Sequence, residues 1–219
     1  MNHELIDHVG SLCQAPEYTK RTGDESVLGR FHAQFPADKL DQMTLETYCL
    51  GKGSQPENFS WWIERGLEPS LGRYMPGTSR GHLAYKRKDG LYYFHRHLVD
   101  LDETEAMSYI AKVHQFIAKA NTKEEMLALD DDNKIYEALG LEPRIVMGQG
   151  RKLRVLAIYH PDAVLPISSH AHLKYFLLKF GVEESDVPKG IIARCLRLFE
   201  IYEAIRDLFP VSTVAILPG

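Results

Sequence analysis

The stretch NFSWWIERGLEPSLGRYMPGTSRGHLAYKRKDGLYYFHRH, residues 58–97, brings together paired indoles, a glycine-punctuated basic loop and a run of Tyr and Phe after an Asp-Gly step. Asp89-Gly90 supplies the positive φ that a tight turn needs, so the spacing predicts an antiparallel hairpin at about 82–95. Alternation groups Leu83, Tyr85 and Arg87 on one side of its first strand. In the second strand Leu91, Tyr93 and His95 share a face, and Tyr92 and Phe94 point the other way. Rings on both faces mean that one face must be covered or used. FSWWIE, residues 59–64, reads as a further strand on its aromatic content, which would send Trp61 and Trp62 to opposite faces.

Outward from this stretch the pattern turns helical. MTLETYCLG predicts a short helix capped by Thr44, and LDETEAMSYIAKVHQFIAKAN a long one capped by Asp102, with Ala106, Ile110, Val113 and Ile117 on one stripe. A helical segment is expected over about 124–139 up to Gly140, another over SSHAHLKYFLLKFG with a Ser168 or Ser169 cap, and a last one over about 189–209. RKLRVLAIYHP and AVLPIS read instead as two short strands joined at Pro161-Asp162, the first apolar enough for the centre of a sheet. The expected fold is therefore α+β, a small mixed or antiparallel sheet packed with several helices. Residues 1–35 read as an N-terminal arm, 36–210 as a single domain and 211–219 as a tail or linker.

The chain has 219 residues, enough to bury a sizeable core, and no apolar run long enough for a membrane span. Its beginning lacks the basic and apolar regions of a signal peptide, so a cytoplasmic location is expected. Cys13, Cys49 and Cys195 are odd in number and lack metal-ligand spacing, which argues for reduced thiols. A net charge of -4 gives no global attraction to nucleic acid, yet seven cations stand against three carboxylates between Glu64 and His97, a local +4.

No P-loop, dinucleotide fingerprint, nucleophile elbow or zincin motif is present, so neither catalysis nor a cofactor is expected. His95 with His97, and His170 with His172, read as surface or capping residues before metal ligands. The acids at 130–132 lack the glycine of a calcium loop and read as a cap cluster. The basic loop SLGRYMPGTSRGH offers Arg73, Arg80, Thr78 and Ser79 as donors to phosphate, and an unpaired indole beside it would make a stacking platform for a base. An acid set of Glu46, Glu64 and Asp89 keeps a metal-dependent nuclease open as a further reading.

The order FHAQFPADKLDQMTLETYCLG, NFSWWIERGLEPSLG, GTSRGHLAYKRKDG and LRVLAIYHPDAVLPISSHAHLKYFLLKFGV, spanning about 31–209, resembles the N-terminal region of McrB-like AAA+ ATPase and GTPase subunits of 5-methylcytosine-specific restriction systems. The resemblance implies a non-catalytic DNA-recognition domain of a restriction or anti-phage protein, one that reads a modified cytosine. With no Walker A sequence in the chain, nucleotide hydrolysis would belong to a motor lying outside it. By this analogy Trp61, Trp62, Tyr74, Tyr85 and Tyr93 are base-pocket candidates and Arg73, Arg80, Lys86, Arg87 and Lys88 backbone contacts. Partners implied are DNA, a nuclease subunit and further copies assembled through the motor, with no membrane. The rival expectation is a protein-interaction module that assembles a defence complex, with the aromatic face as its docking surface.

Overall fold

Local capping decides most of the backbone. In the computed structural model, which describes residues 25–75, 79–144 and 147–205, the elements run α1 Glu25–Gln34, a 3-10 turn Ala37–Gln42, α2 Leu45–Tyr48, and α3 Phe59–Trp61 passing into a π turn Trp62–Gly66. Then come α4 Glu68–Leu71, a 3-10 turn Ser79–His82, strands β1 Ala84–Lys86 and β2 Tyr92–Phe94, α5 Glu103–Lys119, α6 Lys123–Ala128 and α7 Asp132–Leu139. α8 Gln149–Tyr159, α9 His170–Lys179, a 3-10 turn Glu184–Asp186 and α10 Ile191–Ile205 complete the order. Thr44, Asp102 and Ser169 cap α2, α5 and α9 as their positions predict, the first two with a second bond returning from the residue three places on. Gly140 ends α7 in the left-handed conformation, and the segment expected over 124–139 is broken into α6 and α7 by a new cap at Asp131.

The molecule is α+β, with a single two-stranded antiparallel sheet among the described residues. β1 and β2 pair Ala84 with Phe94, Tyr85 with Tyr93 and Lys86 with Tyr92, around a turn closed by Arg87 N–H donating to Leu91 O at 2.8 Å. Gly90 takes φ 87° in that turn. On the far side Gly51 forms a parallel bridge to Lys86, and Lys86 N–H donates to Leu50 O at 2.8 Å. A two-stranded hairpin is marginal by itself. This one is held by burying Ala84, Leu83 and Phe94 against the helices.

Two expected strands are helical. At FSWWIE the Asn58 carboxamide accepts Trp61 N–H at 2.9 Å, and this cap outweighs the β preference of the aromatic residues. At RKLRVLAIYHP the residues form α8, in which every position from Arg151 to Ile158 is buried. A helix enclosed on all sides has no polar face and so no 3.6-residue signature, which is why its sequence resembles a buried strand. AVLPIS forms no strand either. α8 lies against α5 and α10, and α5 also covers the 37–42 turn with the expected Ala106, Ile110, Val113 and Ile117 stripe, all buried.

Part of the expected N-terminal arm belongs to this core. Phe31 of α1 is wholly buried and its ring meets Phe35, Phe59, Trp62 and Tyr159 at centroid distances of 5.6–6.0 Å. Residues 1–24 and the tail expected over 211–219 lie outside the described residues.

Candidate nucleic-acid interface

The hairpin is fixed in place by a buried guanidinium. Arg151, on the first turn of α8, is 1% exposed and donates to Tyr48 Oη at 2.9 Å, to His114 Nε2 at 3.1 Å and to His82 Nδ1. Because a guanidinium only donates, both imidazole nitrogens facing it must accept. The remaining ring N–H groups are therefore assigned: His114 Nδ1–H donates to Ile110 O at 2.7 Å, and His82 Nε2–H donates to Glu64 Oε2 at 3.1 Å. Burial and the adjacent Arg151 charge push His82 down to about 2 and His114 down to about 3, so both rings are neutral. Tyr48 closes the network by donating to His82 O, two residues before β1. α2, the π turn, the hairpin root, α5 and α8 thus meet at one charge, whose route to Glu64 passes through His82.

A second buried arginine holds the loop before the hairpin. Arg154 donates to Ile63 O at 3.2 Å, Leu71 O at 2.7 Å and Gly72 O at 2.8 Å, carbonyls that the π turn and the short α4 leave without helical partners. Burial lowers it to about 10, and it stays charged at neutral pH. Tyr74 sits half-buried beside these two arginines, its hydroxyl raised by burial. Lys152 is likewise buried, donating to Leu129 O at 2.5 Å and pairing with Asp132 at 3.2 Å. Asp130 accepts Ile192 N–H and Ala193 N–H at the start of α10, and Asp131 caps α7, so all three acids at 130–132 have structural roles.

The predicted pocket residues fall into separate groups. Trp61 and Trp62 pack edge to face at 5.2 Å on adjacent turn positions, not on opposite faces of a strand. Trp62 is 1% exposed, donates to Gln34 Oε1 at 2.9 Å and lies under the Arg30 guanidinium at 5.5 Å. It offers no free ring face, and Trp61 is half-buried against the core. Tyr85 and Tyr93 are brought together across the hairpin at 4.9 Å, on the face turned away from Ala84 and Phe94, and both are partly exposed.

The predicted backbone contacts divide as well. Arg87 and Lys88 are exposed at the hairpin turn, where Arg87 pairs with Asp89 at 3.2 Å. That pair is itself exposed and worth little, so the guanidinium can exchange partners cheaply. Lys86 belongs to the opposite face, with its ammonium 5.6 Å from the Tyr92 ring centre. Arg73 is exposed on the loop after α4, and the Arg80 side chain and Thr78 lie outside the described residues. Arg96, exposed after β2, adds a cation next to His95 and His97, whose rings lie 5.1 Å apart. Among the described residues no group of three or more His, Cys, Asp or Glu side chains is placed to hold a metal, so Glu46, Glu64 and Asp89 make no such set. No helix among them is long and apolar enough to cross a membrane.

What sequence reasoning missed is the interior cluster. Arg151, Lys152 and Arg154 within one apolar helix are its only visible signal, and their partners at Tyr48, His82 and His114 carry none. Comparison with protein-family models, curated proteins and solved structures finds no match.

Proposed function

We propose that the chain is a non-catalytic DNA-binding domain of a restriction or anti-phage protein, one that reads a modified cytosine and contacts nucleic acid through the outer face of the hairpin. The observation that carries the reading is the Tyr85–Tyr93 pair, partly exposed at 4.9 Å and flanked by Arg87, Lys88 and Arg96. Four cations against one carboxylate over residues 84–97 give this hairpin +3 in a chain of net -4. Ring faces supply stacking, worth about 1–3 kcal/mol per base, and the cations supply sequence-independent attraction to phosphate. The buried Arg151 cluster holds the hairpin root rigid, which spares the binding step an ordering cost.

The test is the salt dependence of binding to labelled oligonucleotides, unmodified and 5-methylated. Each phosphate that a variant no longer neutralises reduces the slope of log K against log salt by about 0.9. Arg87→Ala with Lys88→Ala is therefore expected to flatten the slope by about 2 and weaken all sequences alike. Unchanged affinity in that double variant refutes the interface. A second reading, a protein-docking surface, draws on the exposure of Leu91 at 62% and Val99 at 66% beside the same hairpin. Self-association or partner binding that ignores salt and disappears in Leu91→Ser would favour it.

A further inference from the structure

Next to the hairpin, on the side of Tyr92, the 37–42 turn, the start of α2 and the first two turns of α5 border an open groove of about 530 Å³. Buried Met43 and Met107 and the partly exposed Tyr92 ring form its apolar floor. Exposed Asp41, Glu46 and Glu103 stand around it, and no lysine or arginine is among its lining residues. Lys86, the cation over the Tyr92 ring, is directed to Gly53 O at 3.4 Å. Burial chiefly, and then the nearby Cys49, Glu46 and Glu103, raise the Tyr92 hydroxyl, so two of the three carboxylates bear on the same ring. Methionine is unbranched and polarizable and adapts to side chains of varied shape. The groove therefore suits an apolar side chain carried between cations.

The same molecule exposes a segment of that description. At the hairpin turn Arg87, Lys88 and Leu91 are all exposed, and the exposed Arg87–Asp89 pair holds the guanidinium only weakly. Leu91 directly precedes Tyr92, so the turn and the groove adjoin. One two-fold axis between two copies can thus bring both contacts, turn into groove and groove onto turn, into a single continuous interface.

We propose that a second copy of this chain occupies the groove: the Leu91 side chain of each copy enters between Met43 and Met107 of the other, with Arg87 and Lys88 against the carboxylates of Asp41, Glu46 and Glu103. Two turns in two grooves make a small contact, of the kind that supports weak and transient association. The pairing goes beyond the nucleic-acid reading and does not depend on it. Both use Arg87 and Lys88, so pairing and phosphate binding exclude each other.

Sedimentation equilibrium without nucleic acid, from about 5 to about 500 µM protein, tests it. A monomer–dimer equilibrium is expected, weakened at least roughly tenfold between about 0.1 M and about 1 M salt as the screening length falls from about 10 Å to about 3 Å. Arg87→Glu with Lys88→Glu, and separately Glu46→Lys with Glu103→Lys, each set like charges together and are each expected to leave only monomer. Mixed in equal amounts, the two variants present an acidic turn to a basic groove and a basic turn to an acidic one, so pairing should return. Circular dichroism checks that each variant keeps its helices. Glu46→Gln with Glu103→Gln, a milder change, should weaken pairing about tenfold at low salt and keeps the test decisive if a reversal does not fold. A native chain that stays monomeric throughout overturns the proposal and leaves the groove to a basic segment of another protein. Pairing that ignores the reversals, or folded variants that do not pair on mixing, overturns it as well. If the pair forms and an added oligonucleotide does not separate it, the pairing stands and the hairpin is the wrong face for nucleic acid.

Discussion

Replacing Arg151 by Leu should destabilise the protein and at the same time make it less sensitive to acid. The substitution keeps much of the buried volume but removes the donors to His82 Nδ1, His114 Nε2 and Tyr48 Oη. An unpaired buried polar atom costs about 1–3 kcal/mol, partly offset because Leu carries no charge to desolvate, so a net loss of about 3 kcal/mol at pH 7 is expected. In the native protein both imidazoles have pKa values depressed to about 2 and 3, whereas the unfolded chain protonates them near 6.5. The unfolded state therefore binds more protons below 6.5. Their stabilisation is complete above that pH and is lost as the pH falls, by about 2 kcal/mol for each ring between pH 7 and 5. Without the guanidinium, His82 can take a proton at Nδ1 and face Glu64, 3.1 Å away, as an ion pair, but burial, the larger cause of its depression, remains, so only part of its share of that loss should be recovered. Urea unfolding at pH 7 and pH 5 measures both effects. The stability gap between native protein and variant should narrow at pH 5, by less than the ~2 kcal/mol that one ring contributes. Parallel pH dependence in the two proteins would refute the assigned tautomers.

Three other outcomes are expected. Gly66→Ala would press a Cβ into the Trp61 and Trp62 rings, 2.5 Å from Trp62 Cε3, and overpacking of this kind should cost about 1–3 kcal/mol in urea unfolding, with a change in indole fluorescence. Arg154→Met leaves the carbonyls of Ile63, Leu71 and Gly72 without their donors, so a drop of about 2–4 kcal/mol is expected, with early amide exchange across residues 62–72. Tyr85→Ala and Tyr93→Ala should each weaken oligonucleotide binding by about 1–3 kcal/mol, measured by fluorescence anisotropy, with little change in the salt slope.

The hairpin was legible because Asp89-Gly90 sets its turn and alternation sets its faces, and the caps at Thr44, Asp102 and Ser169 were legible because each is decided within four residues. α8 was not, since a helix surrounded by protein loses the amphipathic stripe that separates helix from strand. At Trp61-Trp62 the β preference of the rings pointed one way and the Asn58 cap the other, and the cap won. The aromatic pair on the hairpin could be read from the strand period, but the burial of Trp62 depends on α1, which no local pattern connects to residue 62. The interior cluster was invisible for the same reason: its members are ordinary residues until the fold collects them.

Arg151 is also the last of its cluster in chain order, following Tyr48, Glu64, His82 and His114. A nascent chain that has not yet reached α8 holds two imidazoles and a phenol with nowhere to send their lone pairs, and a root for the hairpin that nothing secures. Fragments ended before residue 148 should accordingly stay unfolded, and the halves of the sequence should not be separable as domains.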